Sequence, residues 1–158
     1  MKRSSVRESM SKKLITIRWD QPMEEAADLM EEHRFRHLPV ADDSGVIVGI
    51  LSDRDVNRAV NPGKPGFIAD AQVSEYMSWP VITVDENLAL RDAAQGMIDE
   101  KVSAFLVTDA NKAIVGIVTS EDMLKALVKL LSPPSGLAKV AYFPVVGELL
   151  REAEAAGL

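Results

Sequence analysis

Apolar and polar residues follow two rhythms along this chain, and each rhythm occurs twice. Met23, Ala26, Ala27 and Met30 fall at the spacing of one helical face, as do Leu90, Ala93, Ala94 and Met97. Short β-rich stretches precede these helices at 14–17 (LITI) and 81–84 (VITV). Two further strand-like stretches follow each helix, at 37–41 with 46–51 and at 104–108 with 113–118. Asp-Ser-Gly at 43–45 and Ala-Asn-Lys at 110–112 supply the residues of tight hairpin turns. A second helix is predicted to begin near Ser52 or Thr119 and to end near Val60 or Leu130. Each unit therefore reads β-α-β-β-α.

The two units are copies. Residues 10–60 slide onto 77–127 at an offset of 67 without a gap, and 15 of the 51 pairs are identical. Among them are Met10/Met77, Ser11/Ser78, Val40/Val107, Gly49/Gly116 and Asp55/Asp122. A unit of about 55 residues is marginal alone, so the copies are expected to share a buried surface as a pseudo-twofold pair. The expected organisation is repeat 1 over 8–64, a linker over 65–74 at the end of a stretch, 61–74, with two prolines and two glycines, repeat 2 over 75–131 and an extension over 132–158 ending in a helix. The fold class is α/β (α+β).

Composition narrows the function classes. The net charge is −6 and the basic residues are scattered, which argues against nucleic acid while leaving a small anion open. The absence of cysteine excludes disulfides, thiolate metal sites and a cysteine nucleophile. Two histidines without cysteine do not make a zinc site, and the acidic pairs Asp42/Asp43 and Glu31/Glu32 read as solvated. No signal-peptide core or membrane span is visible, so the expectation is a cytoplasmic protein. No spacing suggests a catalytic triad or paired carboxylates, and the chain reads as non-enzymatic, with no intrinsic cofactor.

The segments GILSDRD (49–55) and GIVTSED (116–122) carry the most chemistry. Gly49 and Gly116 permit close approach to the backbone. Ser52 and Thr119 stand where a helix should start, and free amides there favour an anionic oxygen. Asp55 and Asp122 follow three residues later, where a carboxylate can accept from the two hydroxyls of a ribose. The same spacing is that of a capping box, which needs no ligand. Arg36, Arg54 and Lys101 read by position either as solvated surface charges or as phosphate partners, His37 as an ordinary strand residue or a phosphate partner, and His33 as a surface residue. Trp19 and Trp79 read as packing or interface residues.

The chain resembles a tandem pair of cystathionine-β-synthase-type (CBS) domains, the Bateman module. The resemblance covers residues 8–130 and is carried by M-x5-T-I/V at 10–17 and 77–84, HLPVADDSGVIVGILSDRDV at 37–56 and FLVTDANKAIVGIVTSEDM at 105–123. It implies two clefts between the repeats, each open to an adenosine-containing ligand such as AMP, ADP, ATP, S-adenosylmethionine or NAD. The family's ribose and phosphate motif matches Gly49, Ser52 and Asp55, and again Gly116, Thr119 and Asp122. The base would rest on the segment leading into the opposite repeat. That segment is Ser78–Ile82, including Pro80, for the Asp55 site, and Ser11–Ile15, including Lys12 and Leu14, for the Asp122 site. Magnesium would enter only with a polyphosphate. The resemblance also implies a homodimer and an effector protein that reads the bound state. The alternative is a structural or interaction module whose clefts are vestigial. Copy two departs from the family in having Leu106 where copy one has Pro39.

Overall fold

The computed structural model describes residues 4–131. Its elements are α1 (Val6–Ser9), β1 (Ile17–Arg18), α2 (Met23–His33), β2 (His37–Ala41), β3 (Ile47–Ser52) and α3 (Asp53–Val60), then β4 (Thr83–Asp85), α4 (Leu90–Glu100), β5 (Ala104–Thr108), β6 (Ile114–Thr119) and α5 (Ser120–Leu130). The strands form two sheets, ordered β1-β2-β3 and β4-β5-β6. In each, the first strand runs parallel to the second across a helical connection, and the second pairs antiparallel with the third through a hairpin. This is the mixed α/β fold of a paired repeat. The expected terminal helix of the extension lies outside the described residues.

The hairpin turns are built by aspartates rather than by solvent. Asp42 Oδ1 accepts from the Ser44 and Val46 amides at 2.9 and 3.0 Å and from the Ser44 hydroxyl at 2.7 Å. Asp109 Oδ1 accepts from the Asn111 and Ala113 amides at 2.8 and 3.0 Å. Asp42 is therefore not the freely solvated carboxylate expected of it. These hydrogen bonds favour its ionised form and lower its pKa. The turns close through left-handed residues, Gly45 at φ 84° and Lys112 at φ 65°.

The first strands are shorter than the expected 14–17 and 81–84, and the reason is topological. Before joining its own sheet, each leading segment pairs with the other repeat. Ser11 exchanges backbone hydrogen bonds with Ile117 of β6 at 2.9 and 3.0 Å, and Ser78 does so with Ile50 of β3 at 2.8 and 3.1 Å. Only at Ile17 and Thr83 does the chain reach its own sheet. The outer strand of each hairpin is thus partly covered by the partner repeat, which removes an exposed edge.

The exchange reaches the cores. α1 docks on repeat 2, where the Val6 amide donates to the Leu88 carbonyl at 2.9 Å and its side chain is fully buried beside Leu90, Met97 and Phe105. Its counterpart is a 3₁₀ turn at Val73–Glu75, where the Val73 amide donates to the Gln21 carbonyl at 2.9 Å and the side chain joins Met23, Leu38 and Leu51. Each valine contributes about 1.5–3 kcal/mol of hydrophobic stabilisation to the opposite repeat. Ala71 is buried in the same core as Val73, so the end of the 65–74 segment is structural. The identities Val6/Val73 and Glu8/Glu75 extend the 67-residue offset to this region.

The crossing passes close to both repeat-related glycines. A Cβ on Gly116 would lie 2.7 Å from the Ser11 carbonyl oxygen and 2.9 Å from Met10 Sδ. For a Cβ on Gly49 the three nearest atoms all belong to the Met77 side chain, its sulfur at 2.5 Å. A thioether can turn aside, whereas a paired backbone cannot. Gly116→Ala is therefore expected to destabilise by about 1–3 kcal/mol and Gly49→Ala by clearly less, as measured by urea denaturation. Equal losses would show that the crossing backbone is not what constrains position 116.

Candidate ligand-binding clefts

Two cavities lie between the repeats. The first, of about 260 Å³, is lined by Ser11, Lys13, Leu14 and Ile15 of the first leading segment, by Arg34–His37 and Pro39, and by Ile117, Thr119, Glu121, Asp122 and Lys125. The second, of about 350 Å³, is lined by Ser78 and Pro80–Ile82 of the second leading segment, by Ile50, Ser52, Arg54 and Asp55, and by His37, Lys101–Ala104 and Leu106. Each cavity therefore joins the strand-to-helix turn of one hairpin to the leading segment of the opposite repeat.

The acid at each turn closes a cap. Asp55 Oδ2 accepts from the Ser52 amide at 3.0 Å and from the Ser52 hydroxyl at 2.5 Å, while the Asp55 amide donates to Ser52 Oγ at 3.4 Å. Asp122 Oδ2 accepts from the Thr119 amide and hydroxyl, both at 2.8 Å. The capping reading of the sequence is correct, and it uses one oxygen of each carboxylate. The second oxygen of Asp55 stands 3.7 Å from Arg58. That of Asp122 has no hydrogen-bond or ion-pair partner among the described residues.

Several candidate residues from the sequence meet in the clefts, and three do not. Ser52, Arg54, Asp55, Pro80, Ile82 and Lys101 line the second cavity, and Thr119, Asp122, Leu14, Ile15 and Arg36 line the first. Gly49 and Gly116 line neither, being occupied by the crossing segments. Lys12 is exposed and lines neither, whereas its neighbour Lys13, also exposed, lines the first. Lys13, Arg34 and Lys125 were not among the expected site residues. Lys125 lies one turn beyond Glu121, with which it pairs at 2.8 Å, so helical spacing alone could have indicated it. Arg34 had no such signal. It ends α2 in the left-handed conformation at φ 55°, as Lys101 ends α4, at positions where glycine or asparagine is usual. Trp79 is 73% exposed and lines neither cavity.

His37 borders both cavities. Its Nε2 lies 2.9 Å from the Ser103 hydroxyl, a contact across the repeats. Burial lowers its pKa, with Arg36 and Arg54 acting in the same direction and Asp53 and Asp55 opposing. Among the described residues, no group of three or more His, Asp or Glu could hold a metal ion. No described helix is long and apolar enough to cross a membrane.

The CBS-domain family model matches residues 5–62 and 73–129. The chain belongs to the CBS-domain family. The two matches are the two repeats of a CBS pair. The chain is 32% identical over 139 residues to the CBS domain-containing protein YhcV of Bacillus subtilis (strain 168), covering 88% of this chain and 96% of that protein. It is 33% identical over 118 residues to the L-aspartate semialdehyde sulfurtransferase of Methanocaldococcus jannaschii, covering 75% of this chain but only 22% of that enzyme. Among solved structures it is similar to the CBS domain pair of protein MJ0100 in complex with 5′-methylthioadenosine and S-adenosyl-L-methionine. The TM-score is 0.70 at 31% identity, covering 80% of this chain and 98% of that one.

The lowered pKa of His37 sets the sign of one pH effect in this CBS pair. The folded chain holds His37 neutral where the unfolded chain begins to take up a proton. Its contribution is therefore complete above the ordinary value of 6.5 and is lost as pH falls from there through the lower folded value. The melting temperature is expected to fall more steeply between pH 7 and pH 5 in the native protein than in His37→Ala. Parallel profiles would refute a buried neutral histidine.

Proposed function

We propose that this CBS pair is a non-catalytic sensor that binds adenosine-containing ligands in the clefts between its repeats and passes the bound state to an effector protein. The observation that carries the reading is the pairing, twice over, of a capped aspartate with an apolar leading segment from the opposite repeat. In each cleft the aspartate offers an acceptor to ribose hydroxyls, and Leu14–Ile15 or Pro80–Ile82 offers an apolar surface to a base. The similarity to a CBS pair solved with two adenosine derivatives supports the same assignment. A ligand touching both repeats alters their relative arrangement only by binding one arrangement better than another. Magnesium, where present, would accompany a polyphosphate.

A second reading, an interaction module without ligands, is favoured by the Ser52/Asp55 capping box, which is complete without any ligand. Calorimetric titration with AMP, ADP, ATP, S-adenosylmethionine and NAD separates the two. Saturable binding, lost in Asp55→Ala or Asp122→Ala, is the expected outcome. No heat and no thermal shift with any of them would leave the interaction module as the reading.

We also propose a cytoplasmic homodimer. Ile98 on α4, and Leu124 and Leu127 on the face of α5 beside its inward Met123 and Ala126, are 70%, 61% and 48% exposed. Exposed large apolar residues at helical spacing mark association surfaces. Light scattering is expected to give twice the chain mass for the native protein and a single chain mass for Ile98→Glu combined with Leu127→Glu. A native monomer would reject the dimer.

A further inference from the structure

The two clefts are related by the repeat, so each residue in one has a counterpart in the other, and the differences isolate what each cleft selects. Lys13 in the Asp122 cleft stands where the Asp55 cleft has Pro80, Arg36 where it has Ser103, and His37 where it has Ala104. Lys125 corresponds to Arg58, which lies against Tyr76 and beside Asp55 and does not line its cavity. Only Arg34 and Lys101 preserve the charge. Arg54 reverses it, standing where the Asp122 cleft has Glu121, and Glu121 is already paired with Lys125. Lys13, Arg34 and Arg36 form no ion pair within 4 Å among the described residues, although Arg36 is close enough for its charge to favour the ionised form of Glu121. The Asp122 cleft thus gathers three unpaired cations in the smaller cavity. The Asp55 cleft has two, Arg54 and Lys101, likewise without an ion pair among the described residues, in a larger cavity walled by Ile50, Pro80, Val102 and Leu106.

Unpaired cations converging on one cavity lower the cost of bringing a multiply charged anion into it, and each adds a charge-assisted hydrogen bond. The Asp55 cleft, with one fewer such cation and with Pro80 in place of Lys13, gives less return for desolvating phosphates. We infer that the clefts divide their ligands by charge. The Asp122 cleft takes a nucleotide bearing two or more phosphates, held by Lys13, Arg34 and Arg36. The Asp55 cleft takes an adenosine derivative with little or no negative charge. The inference rests on the adenosine-binding reading above and adds which cleft takes which chemistry.

The test is calorimetry of the full chain with ATP and with adenosine, without added divalent cations, at low and high salt. ATP binding is expected to disappear in Asp122→Ala and to persist within about threefold in Asp55→Ala, with adenosine showing the reverse. Arg36→Ser, which installs the residue of the other cleft at an exposed position, is expected to weaken ATP about tenfold and to flatten its salt dependence while leaving adenosine unchanged. Because Arg36 carries no cap, this variant reads the charge even if either alanine substitution unfolds its helix start. ATP lost in Asp55→Ala instead, ATP shared equally by both clefts, or ATP indifferent to Arg36→Ser would overturn the division while leaving adenosine binding intact. If neither compound binds, the adenosine reading itself fails, and the division with it.

Discussion

The exchange of leading segments between the repeats is the constraint on which the rest of the structure depends. Each segment first pairs with the outer strand of the other repeat, through Ser11 and Ile117 or Ser78 and Ile50, and only then enters its own sheet. The same segments carry Val6 and Val73 into the opposite cores. They then pass in front of the strand-to-helix turns, which makes them walls of the clefts. Pairing, burial and site construction are therefore consequences of one chain path. Loosening it would disturb all three together.

Much of this was legible in the sequence because duplication acts as an internal control. The helices at Met23–His33 and Leu90–Glu100 follow from their apolar spacing, and the hairpins from strand patterns flanking turn residues. The caps at Ser52/Asp55 and Thr119/Asp122 were visible as spacings. The strand exchange was not, because a local pattern shows that a segment is extended without showing which sheet receives it. That is why the first strands were read too long. It is also why the sequence does not show that a neighbouring chain segment lies against Gly49 and Gly116. Arg34 was illegible for a different reason. Its left-handed conformation is imposed by the turn after α2, against the intrinsic preference of its side chain.

The capping role of the aspartates leaves room for the binding role proposed for them. A cap consumes one carboxylate oxygen and fixes the rotamer, so the acceptor that remains is already oriented before any ligand arrives. His37 and Ser103 join the two clefts in a comparable way, since one hydrogen bond lies in the partition between them. An occupant of one cleft that displaced this contact would be felt in the other, which gives coupling a physical route.

The crossed path also bears on how such a chain arises. A single repeat cannot keep its own leading valine, because the pocket for it lies in the other copy. A half-length ancestor would have had to trade that segment with a second molecule to fill its core. Joining two such molecules end to end would turn an exchange between strangers into one within a single chain, and the two clefts, no longer bound to be identical, would be free to diverge.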